Sequence, residues 1–200
     1  MPKIIDKKQK KQHILKAAIE VFASRGFKET KIASIAENAG IGKGTVYEYF
    51  KSKDELFQNA FYEFMDEINT AITDKMYTIV DPVEKLRAFF RACTEILDSP
   101  LSDFLDVIMD FWAEGIKNKE KKPQIDLKSM YEEYRLMIQN LLDDCIVEKK
   151  FIKVDTHLTS SLIIGALDGL MIQWIVDKDV FDLKEAISLL RDRIIDSLKI

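Results

Sequence analysis

Two hundred residues, 47% of them hydrophobic and interrupted by only seven glycines and four prolines, suffice for a sizeable helical core and leave long stretches unbroken. The formal charge of −4 hides a division: residues 1–57 hold twelve Lys and Arg against seven Asp and Glu, a net of +5, so the rest carries −9. Two cysteines exclude a disulfide framework, and a charged N-terminus without an apolar run leads us to expect no secretory signal and a cytoplasmic location.

Along the chain, Lys7, Lys8, Lys10 and Lys11 form a basic tail. Ile14, Ala18, Val21 and Phe22 then recur at i, i+4, i+7 and i+8, which predicts an amphipathic helix ending near Gly26. Ile32, Ile35, Ala36 and Ala39 predict a short second helix over about 32–39. Thr30 and Lys31 stand just ahead of it, where a hydroxyl caps free amides or reaches a phosphate. Gly40 suits the sharp turn that follows, and Ile41 is expected to plug the gap behind it. A third helix, about 42–50, turns Val46 and Phe50 inward and leaves Lys43, Thr45, Tyr47 and Tyr49 outside. Gly44 costs about 1 kcal/mol relative to alanine inside a helix, a cost offset if the bare backbone is to approach DNA. Two short helices, a glycine turn and a polar outer face on the second helix are the features of a helix-turn-helix that enters a major groove.

Ser52-Lys53-Asp54-Glu55 has the form of a capping box and predicts a helix to the mid-seventies, with Lys53 beside an N-terminus suited to phosphate. Asp81-Pro82 opens a helix to about Leu97, and Ser99-Pro100 opens another to about Ile116. The second of these is apolar nearly all round except for Asp103, Asp106, Asp110 and Glu114 in one stripe. That stripe reads first as a solvated face, or else as carboxylates balancing a cationic ligand beside Phe111 or Trp112. Phe64, Phe90, Met109, Asp110, Trp112, Tyr131 and Tyr134 are the candidate pocket residues, each also readable as ordinary core. A long helix follows over about 125–147, and Asp155 and Asp182 look like caps for the last two.

The apolar segment Leu158 to Val176 is interrupted by Asp168 and Gln173 and is marginal in length for a bilayer, so no membrane span is expected. Ser161, Gly165 and Gly169 instead fall at i, i+4 and i+8, beside Leu162, Ala166 and Leu170, so that another helix can approach closely. Leu190 and Ile194 belong to a matching stripe on the last helix, and two helices from each of two copies would make a four-helix seam. The plainer alternative is a core helix within one chain. His13, His157, Cys93 and Cys145 have no metal-ligand spacing, and no nucleophile–base pair or phosphate loop appears. No metal, cofactor or enzymatic activity is expected.

The ordered run Ala17-Ala18-Ile19-Glu20-Val21-Phe22, Gly26-Phe27, Thr30, Ile35-Ala36, Ala39-Gly40-Ile41, Lys43-Gly44-Thr45-Val46-Tyr47, Tyr49-Phe50 and Lys53 resembles the N-terminal domain of TetR-family transcriptional regulators. The resemblance covers roughly the first 60 residues. It implies an all-α homodimer of about nine helices per chain. Residues 1–52 would form a three-helix DNA-binding domain with a helix-turn-helix, and residues 53–200 a helical ligand-binding and dimerisation domain. It further implies a palindromic double-stranded DNA operator and a small-molecule effector that releases a repressor. The alternative is an adaptor whose C-terminal domain docks a protein. By position, Thr30, Lys43, Tyr47, Tyr49 and Lys53 would meet phosphates, Lys43, Gly44 and Thr45 would lie nearest the bases, and Lys31 and Gly42 complete the candidate DNA-binding set. Two departures stand out. Gly42 replaces a more usual serine, and Ala33 stands where some members carry a base-reading arginine.

Overall fold

The computed structural model describes residues 7–95 and 126–200, together with Leu97, Leu105, Val107 and Met109. Eight helices form among the described residues: α1 Lys7–Glu29, α2 Ile32–Asn38, α3 Lys43–Tyr49, α4 Lys53–Tyr77, α5 Pro82–Glu95, α6 Leu127–Val147, α7 Thr156–Val176 and α8 Leu183–Leu198. The only pairing of strand type among them is an isolated bridge between Phe151 and Lys199. The class is all-α, as predicted. The helix expected over 101–116, with Asp110, Trp112 and the acidic stripe, lies outside the described residues except at Leu105, Val107 and Met109.

Helix ends follow local chemistry. Gly26 (φ 70°, ψ 166°) breaks α1 near its end, so the long first helix stops where its apolar pattern does. The Ser52 hydroxyl accepts the Glu55 N–H at 3.0 Å, while the Glu55 carboxylate reaches back to the Lys51 N–H at 2.6 Å, one residue earlier than a regular capping box. Asp81 accepts the Val83 and Glu84 amides at 2.8 and 3.1 Å, and those bonds, the Glu84 one foremost, hold its pKa below the usual carboxylate value. Asp126, Asp155 and Asp182 accept the Ser129, Leu158 and Glu185 amides in the same way. Such caps are worth about 1 kcal/mol each.

Contacts divide the chain into two units, with the boundary inside α4 between Ile68 and Asn69. In the first, α1 packs on α2 and α2 on α3. Ile14, Ala18, Phe22, Ile35, Val46, Leu56 and Phe57 form its buried centre. Phe57 meets Phe22 and Phe27 edge-on, each with ring centroids 5.1 Å apart, which fastens the start of α4 to the end of α1. Each such pair adds about 0.5–1.5 kcal/mol beyond simple burial.

In the second unit, α5 packs on α6 and α8, and α7 packs on the same two helices, which makes a four-helix bundle. Leu86, Phe90, Ile138, Leu142, Ile163, Ile187 and Ile195 fill it. Arg87 pairs with Asp192 at 3.2 Å across α5 and α8. Between α6 and α7 there are polar contacts as well: the Tyr131 hydroxyl donates to Asp168 Oδ2 at 2.8 Å, and Arg135 Nε donates to Ser161 Oγ at 2.9 Å. The Ile152 amide donates to the Leu198 carbonyl at 2.8 Å and ties the end of α8 to the α6–α7 connection.

Candidate nucleic-acid interface

The α2–α3 turn is built by its backbone. Gly40 takes φ +62°, its N–H donates to the Glu37 carbonyl at 3.0 Å, and the Ile41 N–H donates to the Ala36 carbonyl at 2.9 Å. These two bonds are a Schellman closure, which needs a residue at ease in the left-handed region. Ile41 is half-buried, less of a plug than its apolar character predicts. His13 donates from Nε2 to the Ala39 carbonyl at 2.9 Å, and Asn38 donates to Glu20 at 2.8 Å, so α2 is bonded to α1 as well as packed on it. The pair of helices is therefore held at a set angle by its own chain.

Of α3, only Val46 is buried. Lys43, Gly44, Tyr47 and Glu48 are exposed, and Thr45 and Tyr49 are half-exposed. The Lys43 ammonium lies 5.8 Å from the centre of the Tyr47 ring, a loose cation–π contact that steadies both groups at the surface. Gly42 is the N-cap and offers no side-chain bond, so the first amides of α3 have no side chain closing them off. A Cβ added to Gly44 would meet nothing within 4 Å, and its backbone is ordinary helix. The chain's own packing therefore does not require glycine there. Lys31 is exposed at the start of α2. The surface thus gathers Lys31, Gly42, Lys43, Gly44, Thr45, Tyr47 and Tyr49 on two adjoining short helices.

Two predicted phosphate contacts are occupied elsewhere. Thr30 is 2% exposed and its hydroxyl donates to the Gly26 carbonyl at 2.7 Å, so its one proton closes the turn after α1. The Lys53 ammonium donates to the carbonyls of Phe27, Lys28 and Thr30 at 2.8, 3.2 and 3.1 Å and sits 4.5 Å from the centre of the Phe27 ring. Three acceptors and an aromatic face account for all three donors of the group. Lys53 is a bracket between α4 and the end of α1.

The pocket candidates fall in both units. Phe64 and Met109 belong to the first unit, and Phe90, Tyr131 and Tyr134 to the second; Asp110 and Trp112 lie outside the described residues. Phe64 and Phe90 are core residues at 0% and 1% exposure. Desolvation raises the pKa of Asp168, against the lowering influence of the Tyr131 hydrogen bond, and desolvation followed by the Asp168 contact raises that of Tyr131. Burial, with Cys93 and Glu133 close by, likewise raises Tyr134. Tyr131 stands among the pocket candidates, but its partner Asp168, 37 residues along the chain, was not singled out from the sequence. Cys93 and Cys145 are free thiols pushed up to about 12 by desolvation, hence protonated at neutral pH. Among the described residues, no group of three or more His, Cys, Asp or Glu could hold a metal ion.

Ser161 faces its own chain, accepting from Arg135 and donating to the His157 carbonyl at 3.0 Å. The open stripe of α7 is instead Leu158, Leu162, Gly165, Gly169, Ile172 and Val176, spaced 4-3-4-3-4. Leu162 is 65% exposed and Val176 81%, and a Cβ on either glycine would meet nothing within 4 Å. Ala166, Leu170, Leu190 and Ile194 are half-buried alongside, and Leu189 on α8 is exposed. The same helix is the one described segment long and apolar enough to cross a membrane by length and composition.

Residues 14–60 match the family model of bacterial regulatory proteins of the tetR family, and residues 82–199 match that of the BetI-type transcriptional repressor C-terminal domain. The HTH-type transcriptional repressor KstR2 of Mycolicibacterium smegmatis is 27% identical over 143 residues, 71% of this chain and 67% of that protein. The fatty acid metabolism regulator protein of Bacillus subtilis is 22% identical over 178 residues, covering 88% and 89%. The crystal structure of a putative transcriptional regulator from Saccharomonospora viridis in complex with choline superposes with a TM-score of 0.83 at 21% identity, covering 97% of this chain and 100% of that one.

Proposed function

The chain belongs to the TetR family of bacterial transcriptional regulators, with a BetI-type C-terminal domain, and we propose that this member is a dimeric repressor released from a palindromic operator by a small molecule. The observation that carries the DNA half is α3: one buried residue, a bare Gly44, and Lys43, Thr45, Tyr47 and Tyr49 around an open face behind a rigid turn. Residues 1–52 act as the reading head and 53–200 as the effector and dimer domain. Lys31, Lys43, Tyr47 and Tyr49 anchor to phosphates, and Gly42, Gly44 and Thr45 lie against base edges. Thr30 and Lys53 support that surface from behind it.

Two copies join through α7 and α8. An apolar stripe of heptad spacing left open in one chain gains about 25 cal/mol for each Å² of apolar surface it covers. The interface is Leu162, Gly165, Ala166, Gly169 and Leu170 with Leu190 and Ile194, extended by Leu158 and Ile172. Paired α3 helices then stand about 34 Å apart, or a multiple of it, to enter successive grooves on one face of the duplex. An effector lowers DNA affinity by binding more tightly to the form whose heads are mis-spaced, and by no other route. The protein works in the cytoplasm.

The decisive experiment is selection of bound genomic fragments with purified protein, followed by thermal-shift screening of small molecules, quaternary ammonium compounds and fatty-acid derivatives included. A shared inverted-repeat motif is expected, together with a compound that both raises the melting temperature and releases the fragment. Failure to retain any preferred fragment overturns the reading. A motif with no stabilising compound favours a C-terminal domain that docks a protein.

A further inference from the structure

The outward pole of α3 holds a carboxylate. Val46 is the buried residue of that helix, and Gly44 and Glu48 lie two residues before and two after it, each about 200° around the axis. Those two positions are therefore the ones most nearly opposite the core. Lys43 and Tyr47 flank the pole on one side, and Thr45 and Tyr49 on the other. Glu48 is exposed, and no hydrogen bond or ion pair engages its side chain among the described residues. Each Cα–Cβ bond in a helix tilts toward the N-terminus, so Glu48 leans back over Gly44 four residues earlier. The space above Gly44 is open.

A negative charge at this point opposes binding to a polyanion, and among the described residues no cation pairs with it. Within the major groove the loss is recovered at an amino donor on a base edge; adenine N6 lies beside the acceptor N7, which repels a carboxylate, so the donor that suits it is the N4 amino group of cytosine. Resting on the DNA-binding role proposed above, we infer that Glu48 is a specificity residue that reads a cytosine in each half-site, through the gap that Gly44 leaves in the recognition helix. The arrangement accounts for both oddities of α3 at once. Glycine admits the reading side chain as well as the backbone, and glutamate rejects every sequence lacking an amino donor at one position.

The test compares sequence selection by the wild-type protein, Glu48→Ala and Glu48→Gln from the same random library at one salt concentration. The wild-type motif is expected to hold a cytosine at one symmetric pair of positions. Glu48→Ala is expected to lose that preference alone, with roughly tenfold less discrimination there, and Glu48→Gln to move it toward adenine. A Gly44→Leu variant, which fills the gap, is expected to lose the same preference with Glu48 intact. Circular-dichroism melts should match the wild type for both Glu48 variants, because the side chain is exposed and unpaired. If Glu48→Ala binds every fragment more tightly with all preferences unchanged, the carboxylate merely repels phosphate and the inference falls. If the wild-type protein itself selects no motif, the DNA-binding reading falls with it.

Discussion

Helices α3 and α7 each leave glycine bare on an outward face, and their neighbours differ in a way that separates two kinds of partner. Around Gly44 stand Lys43, Thr45, Tyr47 and Glu48; around Gly165 and Gly169 stand Leu158, Leu162 and Ile172. Neither face is explained by its own chain, since a Cβ at any of these glycines would meet nothing within 4 Å and none has positive φ. Polar groups waiting in water lose nothing by staying there and can exchange water for base edges and phosphates. An open apolar stripe, by contrast, is a standing cost that contact with another apolar surface relieves. Both faces leave room for close approach, and the chemistry beside the glycines differs, polar and charged on α3 and apolar on α7.

The comparison breaks most easily at α7. Leu162→Glu places a charge in the middle of the stripe, and burying it unpaired costs about 3 kcal/mol or more, a hundredfold in dimer dissociation. Sedimentation equilibrium is expected to show folded monomers, because Leu162 is already 65% exposed in the single chain. Persistence of the dimer would mean that another surface joins the copies.

Lys53→Ala tests whether that lysine supports the head or touches DNA. Losing three charge-assisted bonds and the Phe27 contact is expected to lower unfolding stability by about 2 kcal/mol, read by denaturant titration, with the salt dependence of DNA binding unchanged. Unchanged stability with a shallower salt slope would restore Lys53 to the phosphate contacts. Lys43→Ala has the reverse signature. It is expected to weaken binding evenly across sequences and to reduce the slope of log affinity against log salt by about one per head, without moving the denaturation midpoint. Equal loss of affinity and of sequence preference would erase the division between anchoring and reading residues.

The smallest effect concerns Asp168. Burial raises its pKa in the folded state, so the folded protein takes up a proton there more readily than the unfolded chain. Its contribution is favourable below the unfolded carboxyl pKa and is lost as pH rises through the folded one. Asp168→Asn keeps an acceptor for Tyr131 and removes the buried charge. The variant is therefore expected to match or slightly exceed the wild type in denaturant midpoint at pH 7. The gap closes as the pH is lowered through the carboxyl range. A clear loss of stability at pH 7 would show that the ionised carboxylate is required.

Most helix boundaries were legible in the chain because the interactions that set them reach four residues or fewer. Gly40 needed a left-handed turn, and Ser52, Asp81, Asp155 and Asp182 each had an amide within reach. Thr30 was open to the same reasoning, since its hydroxyl bonds back only four residues to Gly26, yet a threonine ahead of a helix equally suits a cap. The split of charge between head and body was also plain, being a matter of counting.

Which way a side chain is committed was decided by residues far along the chain. Lys53 finds its acceptors 23 to 26 residues back, Arg135 turns Ser161 inward from 26 residues away, and Tyr131 holds Asp168 across 37. Periodicity marks a helix as having an apolar side, but several rows of a helix as apolar as α7 satisfy the same spacing. Only the packing of α6 and α8 against α7 selects the row that stays open. Local hydrogen bonding and hydrophobic spacing thus determined the helices and their ends. Tertiary contact decided which polar groups and which apolar row remain uncovered, because availability is what is left once every distant neighbour has taken its share.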